Sequence, residues 1–540
     1  MTKDRKRPLS KLFGLAAPAI LATILIAQAP AVMAQEAIKQ GGTLISAITD
    51  NPPNFITGLG TDITTIAIGG EIFNTLIKLD DKLNLVPSLA KSWEISPDGL
   101  TYTFHLQEGV KWHDGQPFTS ADVKYTFQEL SGKYNSLAIQ AYKGIASIDT
   151  PDDNTVVVKL AKPDPSFFPW AFCQPNFAQI FPKHIYEGSD PRTNPANLKP
   201  IGTGPFVFKE WNRGSNVVLE RNPDYFNKDH VFLDRLVFQI IPDPGATQLA
   251  LQKGDIDYIP YSALSTSALA PLSKDPNIQV IDSLRPALGE IMMFYNLREP
   301  QLAKPEVRQA IAHLVDRDLL VKLALNGHGK AATGPIRSDQ PPFYDADIPK
   351  YAHDVALAND LLDKAGFPKD GNGTRFSLRL SYQGTGEGGA LQSAAEIMRQ
   401  QLKEGGIDLQ LMPTDSAAWL DSAFMKWDFD LTMGSFGTGP DPKIGVNRLY
   451  STSTIQKVVG GNLMGYSNPK LDDLFNKADA EMDPKVRADD YHQAQQILGT
   501  DLPALWLWEK SYPIAVRKGI VGLPAGAMHS EVFEDVGQAN

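Results

Sequence analysis

Residues 1–34 decide where the remainder of this chain folds. Lys3, Arg5, Lys6, Arg7 and Lys11 form a basic start, a mostly apolar stretch runs from Leu12 to Ala29, and Val32-Met33-Ala34 places small residues at the two positions a signal peptidase reads. The pattern reads as a secretory leader of residues 1–34. A retained membrane anchor is the competing reading. The apolar run is short against the roughly 20 residues that a span requires, and its flank favours cleavage. No Cys follows the run to carry a lipid, and Lys6 splits Arg5 from Arg7, so neither a lipoprotein nor a twin-arginine signal is supported. An exported chain folds where disulfides form, yet Cys173 is the single cysteine. Stability must therefore come from packed cores, which the 506 residues after the leader can supply. Cys173 lies in Phe-Pro-Trp-Ala-Phe-Cys-Gln-Pro and reads as a buried, inert thiol.

Loss of the leader takes the net charge from −11 to −15, because the segment holds five basic side chains and one acidic. Such a chain is a poor ligand for nucleic acid or an anionic membrane. Its length suits two or three domains of about 150 residues each.

Short strands alternate with amphipathic helices. Residues 41–48 read as the first strand, 101–106 as a half-buried strand by its polar–apolar alternation, and 155–160, 217–220 and 236–241 as further strands. Thr119 to Asp122 opens a helix with a hydroxyl available as cap, and 246–253 reads as another. After an apolar strand at 291–297 come helices at 305–316, 353–365 and 388–404, interleaved with strands at 376–380, 408–411 and 430–433. Residues 504–508 form one more buried strand. The order is that of an α/β protein without short repeats.

Catalytic patterns are scarce. The chain lacks a Gly-x-Ser-x-Gly elbow and a Gly-Lys-Ser/Thr phosphate loop, and its nine His residues make no His-x-x-x-His pair. His113-Asp114 could be a metal pair, but a turn ending in Asp-Gly explains it better; no metal site and no cofactor are expected. Gly384-x-Gly386-x-Gly388 departs from the dinucleotide fingerprint and reads as a loop. Trp419, Trp427, Phe429 and Phe436 cluster between helix and strand and suit either an aromatic-lined cleft or core packing. Trp506 and Trp508 read as core.

Several blocks, taken together and in order, carry a resemblance. They are Leu89-Ala-Lys-Ser-Trp-Glu94, Asp98-Gly-Leu-Thr-Tyr-Thr-Phe104, Gly109-Val-Lys-Trp-His-Asp-Gly115, Gly202-Thr-Gly-Pro-Phe206, Arg221-Asn-Pro-Asp-Tyr-Phe226, Lys253-Gly-Asp-Ile-Asp257, Val307-Arg-Gln-Ala-Ile311 with Val315-Asp-Arg317, Leu361-Leu-Asp-Lys-Ala-Gly-Phe367 and Phe429-Asp-Leu431. Over residues 41–510 the chain resembles the periplasmic solute-binding proteins of the dipeptide/oligopeptide class that serve ABC importers. The resemblance implies an α/β, class II-like two-lobe clamp with an extra subdomain in the first lobe. It places lobe I at 35–288 with the subdomain at about 85–195, lobe II at 289–510, and a return to lobe I at 511–540, with crossings near 286–290 and 508–512. It implies a monomer in the periplasm that captures a peptide or peptide-like solute, closes on it and presents it to a permease and its ATPase subunits, with no catalysis.

Peptide-binding members carry Gly-Trp-x-x-Asp-x-x-Asp/Glu-Pro after the Phe-Asp-Leu strand, the first Asp meeting the ligand ammonium. Here residues 434–442 read Gly-Ser-Phe-Gly-Thr-Gly-Pro-Asp-Pro, which puts Thr438 at the ammonium position. Ser435 takes the Trp position, and a one-residue slip would put Phe436 in the aromatic role; with Trp419 from the aromatic cluster, Thr438 and Asp441 from this segment and Arg448 just downstream, these are the ligand-binding candidates. Asp441 or Asp415 could compensate for Thr438, and Arg448 could pair with a ligand acid or form a structural ion pair. A non-peptide cargo (an opine-type conjugate, a glutathione-like compound, an oligosaccharide) stays open. So do an exported hydrolase and a sensor that presents its closed form to a receptor.

Overall fold

The computed structural model describes residues 38–80, 84–282, 289–384, 389–439, 441–523 and 533–539. The leader (1–34), most of the first expected crossing, and Gly386 and Gly388 of the glycine loop lie outside the described residues.

Two sheets carry the framework. One has seven strands in the order Ile278–Ile281, Ile514–Arg517, Tyr258–Ile259, Thr43–Ile48, Arg235–Ile240, Asn216–Arg221 and Phe206–Asn212. Within it Thr43–Ile48 runs parallel to Arg235–Ile240 and to Tyr258–Ile259, while the other pairings are antiparallel. The other has six strands in the order Lys330–Ala331, Ala504–Glu509, Glu290–Tyr295, Leu431–Phe436, Phe376–Gln383 and Ile407–Thr414. The chain leaves the first sheet after Ile281, enters the second at Glu290, leaves it at Glu509 and rejoins the first at Ile514. Each sheet has its own apolar core, one built around Leu44, Leu236 and Phe238, the other around Met293, Leu431 and Leu505. This is an α/β fold of two lobes.

Strand burial follows residue pattern. In Glu290–Tyr295 and Ala504–Glu509 every residue is buried, so these central strands read as continuous apolar runs. Thr101–Leu106 alternates, being the half-covered strand of a four-stranded sheet with Ala90–Ile95, Thr155–Leu160 and Ile145–Asp152. The following helix, Ser120–Tyr125, starts at a capping box in which Thr119 and Asp122 satisfy each other's backbone amides.

The expected helix 305–316 ends two residues early, and a further helix that the sequence reading did not name follows it. Pro305–Leu314 stops at Val315, and Asp316 caps Arg317–Ala324 by accepting from the Leu319 amide at 2.9 Å. Two long helices absent from the sequence reading, Pro469–Ala480 and Pro484–Asp501, pack beside the six-stranded sheet's lobe. The Gly202-Thr-Gly-Pro turn lies hard against the end of helix Ile63–Ile72: a Cβ on Gly202 would overlap the Ile72 carbonyl, and one on Gly204 the Glu71 carbonyl. His113 pins the same turn. Its Nδ1 accepts from the Gly202 amide at 3.2 Å and its Nε2 donates to the Gly204 carbonyl at 3.1 Å. Asp114 instead meets His184 at 2.8 Å. The His113-Asp114 block is therefore a scaffold joint.

Candidate functional site

A small concavity opens where the parallel strands of the first lobe end. The carboxyl ends of parallel strands are where α/β sheets leave a crevice for ligands. Ser46, Ile48 and Thr49 come from the end of Thr43–Ile48, Phe238 from its parallel partner, and Pro260, Tyr261 and Ser262 from beyond Tyr258–Ile259. Ile63, Thr64 and Ala67 are contributed by helix Ile63–Ile72. Asp62 caps that helix, accepting from the Thr65 amide at 2.9 Å and the Thr64 hydroxyl at 2.6 Å. Phe533 closes the set; its ring meets Tyr258 edge-on at 5.4 Å, and its amide donates to Glu71 at 3.0 Å. Tyr261 touches Tyr512, on the segment rejoining this lobe, at 5.0 Å ring to ring.

In the other lobe the structure brings Trp419 and Phe436 together. Phe436 ends the strand Leu431–Phe436, stands edge-on to Phe294 at 4.7 Å, and lies 6.4 Å from Trp419. The Trp419 indole N–H donates to the Thr432 hydroxyl at 2.9 Å. Gly434 is required beneath it, since a Cβ there would come within 2.6 Å of the indole. Both rings are over nine-tenths buried, Phe436 at 7 % exposure.

Three of the polar candidates, Thr438, Asp441 and Asp415, are occupied. Thr438 donates its hydroxyl to the Gln340 side-chain carbonyl at 2.6 Å, and the Gln340 amide donates to the Gly439 carbonyl at 2.7 Å. Asp441 is buried, and both its oxygens accept from Arg487 at 2.6 Å. Asp415 caps helix Ser416–Leu420. Arg448 is exposed beside Gly460, and among the described residues no carboxylate pairs with it.

Sequence reasoning missed a further group where the chain crosses between sheets. Glu290 and Glu509 are cross-strand neighbours. Ser338 satisfies Glu509 through its amide at 2.7 Å and its hydroxyl at 2.8 Å. The buried Arg337 guanidinium donates to Asp339 at 2.9 and 3.0 Å and to the Gly289 carbonyl, tying this loop to the crossing. Glu290 is fully enclosed, and neither carboxyl oxygen has a hydrogen-bond partner among the described residues. Burial, then the neighbouring Glu509, push its pKa well above the usual carboxylate range. The only sequence signal was an acidic residue opening an otherwise apolar strand.

Two lobes joined by crossing strands, with a hydroxyl- and aromatic-lined crevice at the end of a parallel pair, define a solute-binding clamp. The sequence model for the middle region of bacterial extracellular solute-binding proteins, family 5, matches residues 84–457, and the chain belongs to that family. It is 30 % identical over 505 residues to the oligopeptide-binding protein AppA of Bacillus subtilis, covering 90 % of this chain and 89 % of that one. It is 28 % identical to the dipeptide-binding protein of Escherichia coli, covering 93 % and 96 % respectively. The solved structure of Bacillus subtilis AppA in complex with a nonapeptide matches with a TM-score of 0.69 at 27 % identity, over 93 % of this chain and all of that one. Among the described residues no helix is long and apolar enough to cross a membrane, and no cluster of metal-ligating side chains occurs.

Proposed function

We propose that this chain is the periplasmic solute-capturing component of an ABC importer, that its cargo is a peptide or peptide-like molecule, and that it does no chemistry on it. The observation that carries the reading is the crevice at the ends of the parallel strands. Its hydroxyls and rings suit binding, and no nucleophile–base pair stands among its lining residues. The relatives named for oligopeptide and dipeptide binding support the cargo class.

Lobe I comprises residues 35–288 with the four-stranded subdomain inside about 85–195, lobe II comprises 289–510, and residues 511–540 return to lobe I. Trp419 and Phe436 form the aromatic floor on the lobe II side. Thr438 and Asp441 hold the segment beside it in place through Gln340 and Arg487, and Arg448 remains the cation available to an acidic cargo group. The monomer closes on its solute and the closed form engages the permease.

Mass spectrometry of what leaves the protein when it is purified gently from its native host and denatured tests the reading. A ladder of short peptides is the expected result. A single sugar or opine would keep the transport role and refute the peptide cargo, whereas turnover of peptides or glycosides by the pure protein would refute the absence of catalysis.

A further inference from the structure

In the proposed division, one end of the four-stranded subdomain sheet meets the second lobe. Thr101 pairs with Lys159 across that sheet, so the turn at Gly99 and the segment leaving Leu160 lie at the same end of it. Two contacts cross from this end, and neither uses the crossing segments. Lys443 reaches Asp164 at 2.9 Å. The Met482 thioether lies against Gly99, where an added Cβ would come within 2.8 Å of its sulfur. Each side is fixed within its own lobe. Asp164 accepts from the Ser166 amide at 3.0 Å and hydroxyl at 2.7 Å, and Asp98 holds the Gly99 turn by accepting from the Leu100 amide at 3.0 Å. Across the gap, Asp441 accepts from the Lys443 amide at 3.0 Å and is itself held by Arg487. Met482 joins helix Pro469–Ala480 to helix Pro484–Asp501. Two stiff bodies that meet through one ion pair and one thioether can part without either unfolding. Asp479 offers Lys443 a second carboxylate in its own lobe, 3.9 Å away. Parting therefore does not strand the ammonium without a counter-charge.

We propose that Lys443 and Asp164, with Met482 seated on Gly99, form a latch that favours the closed clamp whatever the solute, Lys443 exchanging Asp164 for Asp479 as the lobes part. The inference rests on the two-lobe closure proposed above and adds what holds the closed form. Lys443 and Asp164 are each about a quarter exposed, so the pair raises the closed-to-open ratio by a factor of about two to five. A latch of this strength biases the clamp without locking it, and leaves the solute to complete the shift.

Double electron–electron resonance on the leader-free protein, in buffer with no solute added, tests it. Spin labels are placed through Ala146→Cys in the subdomain and Gln400→Cys in the second lobe, both exposed positions, while the buried Cys173 escapes labelling. The parent should show a short and a long distance. Lys443→Met should lower the short-to-long ratio by about twofold to fivefold. Asp164→Asn, whose amide oxygen still accepts from Ser166, should do the same. Sodium chloride at about 1 M should reproduce the change in the parent and leave Lys443→Met unmoved. Met482→Ala should shift the ratio in the same direction at either salt. Coinciding distributions for the parent and Lys443→Met would overturn the inference, and so would a Lys443→Met shift that salt fails to reproduce in the parent. Either result leaves solute capture standing, because no solute enters the measurement.

Discussion

Asp441 and Arg487 face each other as a buried bidentate pair, with both N···O distances at 2.6 Å. The pair fastens the segment after strand Leu431–Phe436 to helix Pro484–Asp501, whose Arg487 also donates to the Ala478 carbonyl at 2.9 Å. Removing one partner leaves the other charge buried. Asp441→Asn should therefore destabilise the protein by about 3–5 kcal/mol, read by urea unfolding. A loss of solute affinity with stability unchanged would instead make Asp441 a ligand contact.

Glu290 should respond oppositely. Its folded pKa is raised by burial and by Glu509. Its protonated form therefore favours folding below the unfolded carboxylate pKa of about 4.3, and that contribution is lost as pH rises through the folded value. Glu290→Gln keeps the shape and removes the ionisation. The variant should be more stable than the parent at pH 8, by about 1.4 kcal/mol for each pH unit by which the folded pKa stands above the unfolded one, and the difference should vanish near pH 4. Equal urea midpoints at pH 8 would show that Glu290 finds a partner.

His113 sets the acid limit. Burial pushes its pKa down to about 4, and the Gly202 amide needs Nδ1 unprotonated. Between about 6.5 and 4 the unfolded chain takes up the proton first, so stability falls as pH drops through that window and levels off below it. Melting curves of His113→Gln, whose amide offers one acceptor and one donor, should lose most of this slope.

Lys443 reaches Asp164 at 2.9 Å, linking residues that belong to different lobes in the proposed division. Both are about a quarter exposed, so the pair should contribute no more than about 1 kcal/mol to stability. A double-mutant cycle of Lys443→Met and Asp164→Asn should give a coupling of that size which shrinks with added salt.

The sequence revealed elements whose residues report their own surroundings. The alternation at 101–106 is a half-covered strand, and the run at 504–508 is a strand buried on both faces. Helix Pro484–Asp501 was illegible because it buries Arg487, Gln495 and Gly499 among its apolar residues, and each of those is accommodated by something distant. The crevice was illegible for a related reason. Ser46, Phe238, Tyr261 and Phe533 converge only through long-range pairing, which no local pattern records. On the lobe II side, Trp419 and Phe436 were legible as an aromatic cluster, but the partners that occupy Thr438 and Asp441 were not.

The strand Ile514–Arg517 sits between Ile278–Ile281 and Tyr258–Ile259 in the sheet that begins with Thr43–Ile48. The lobe synthesised first thus lacks an interior strand until the last tenth of the polypeptide has emerged. Contacts of such sequence separation form slowly, so in a chain exported as proposed the first lobe is still unfinished while the polypeptide is being threaded.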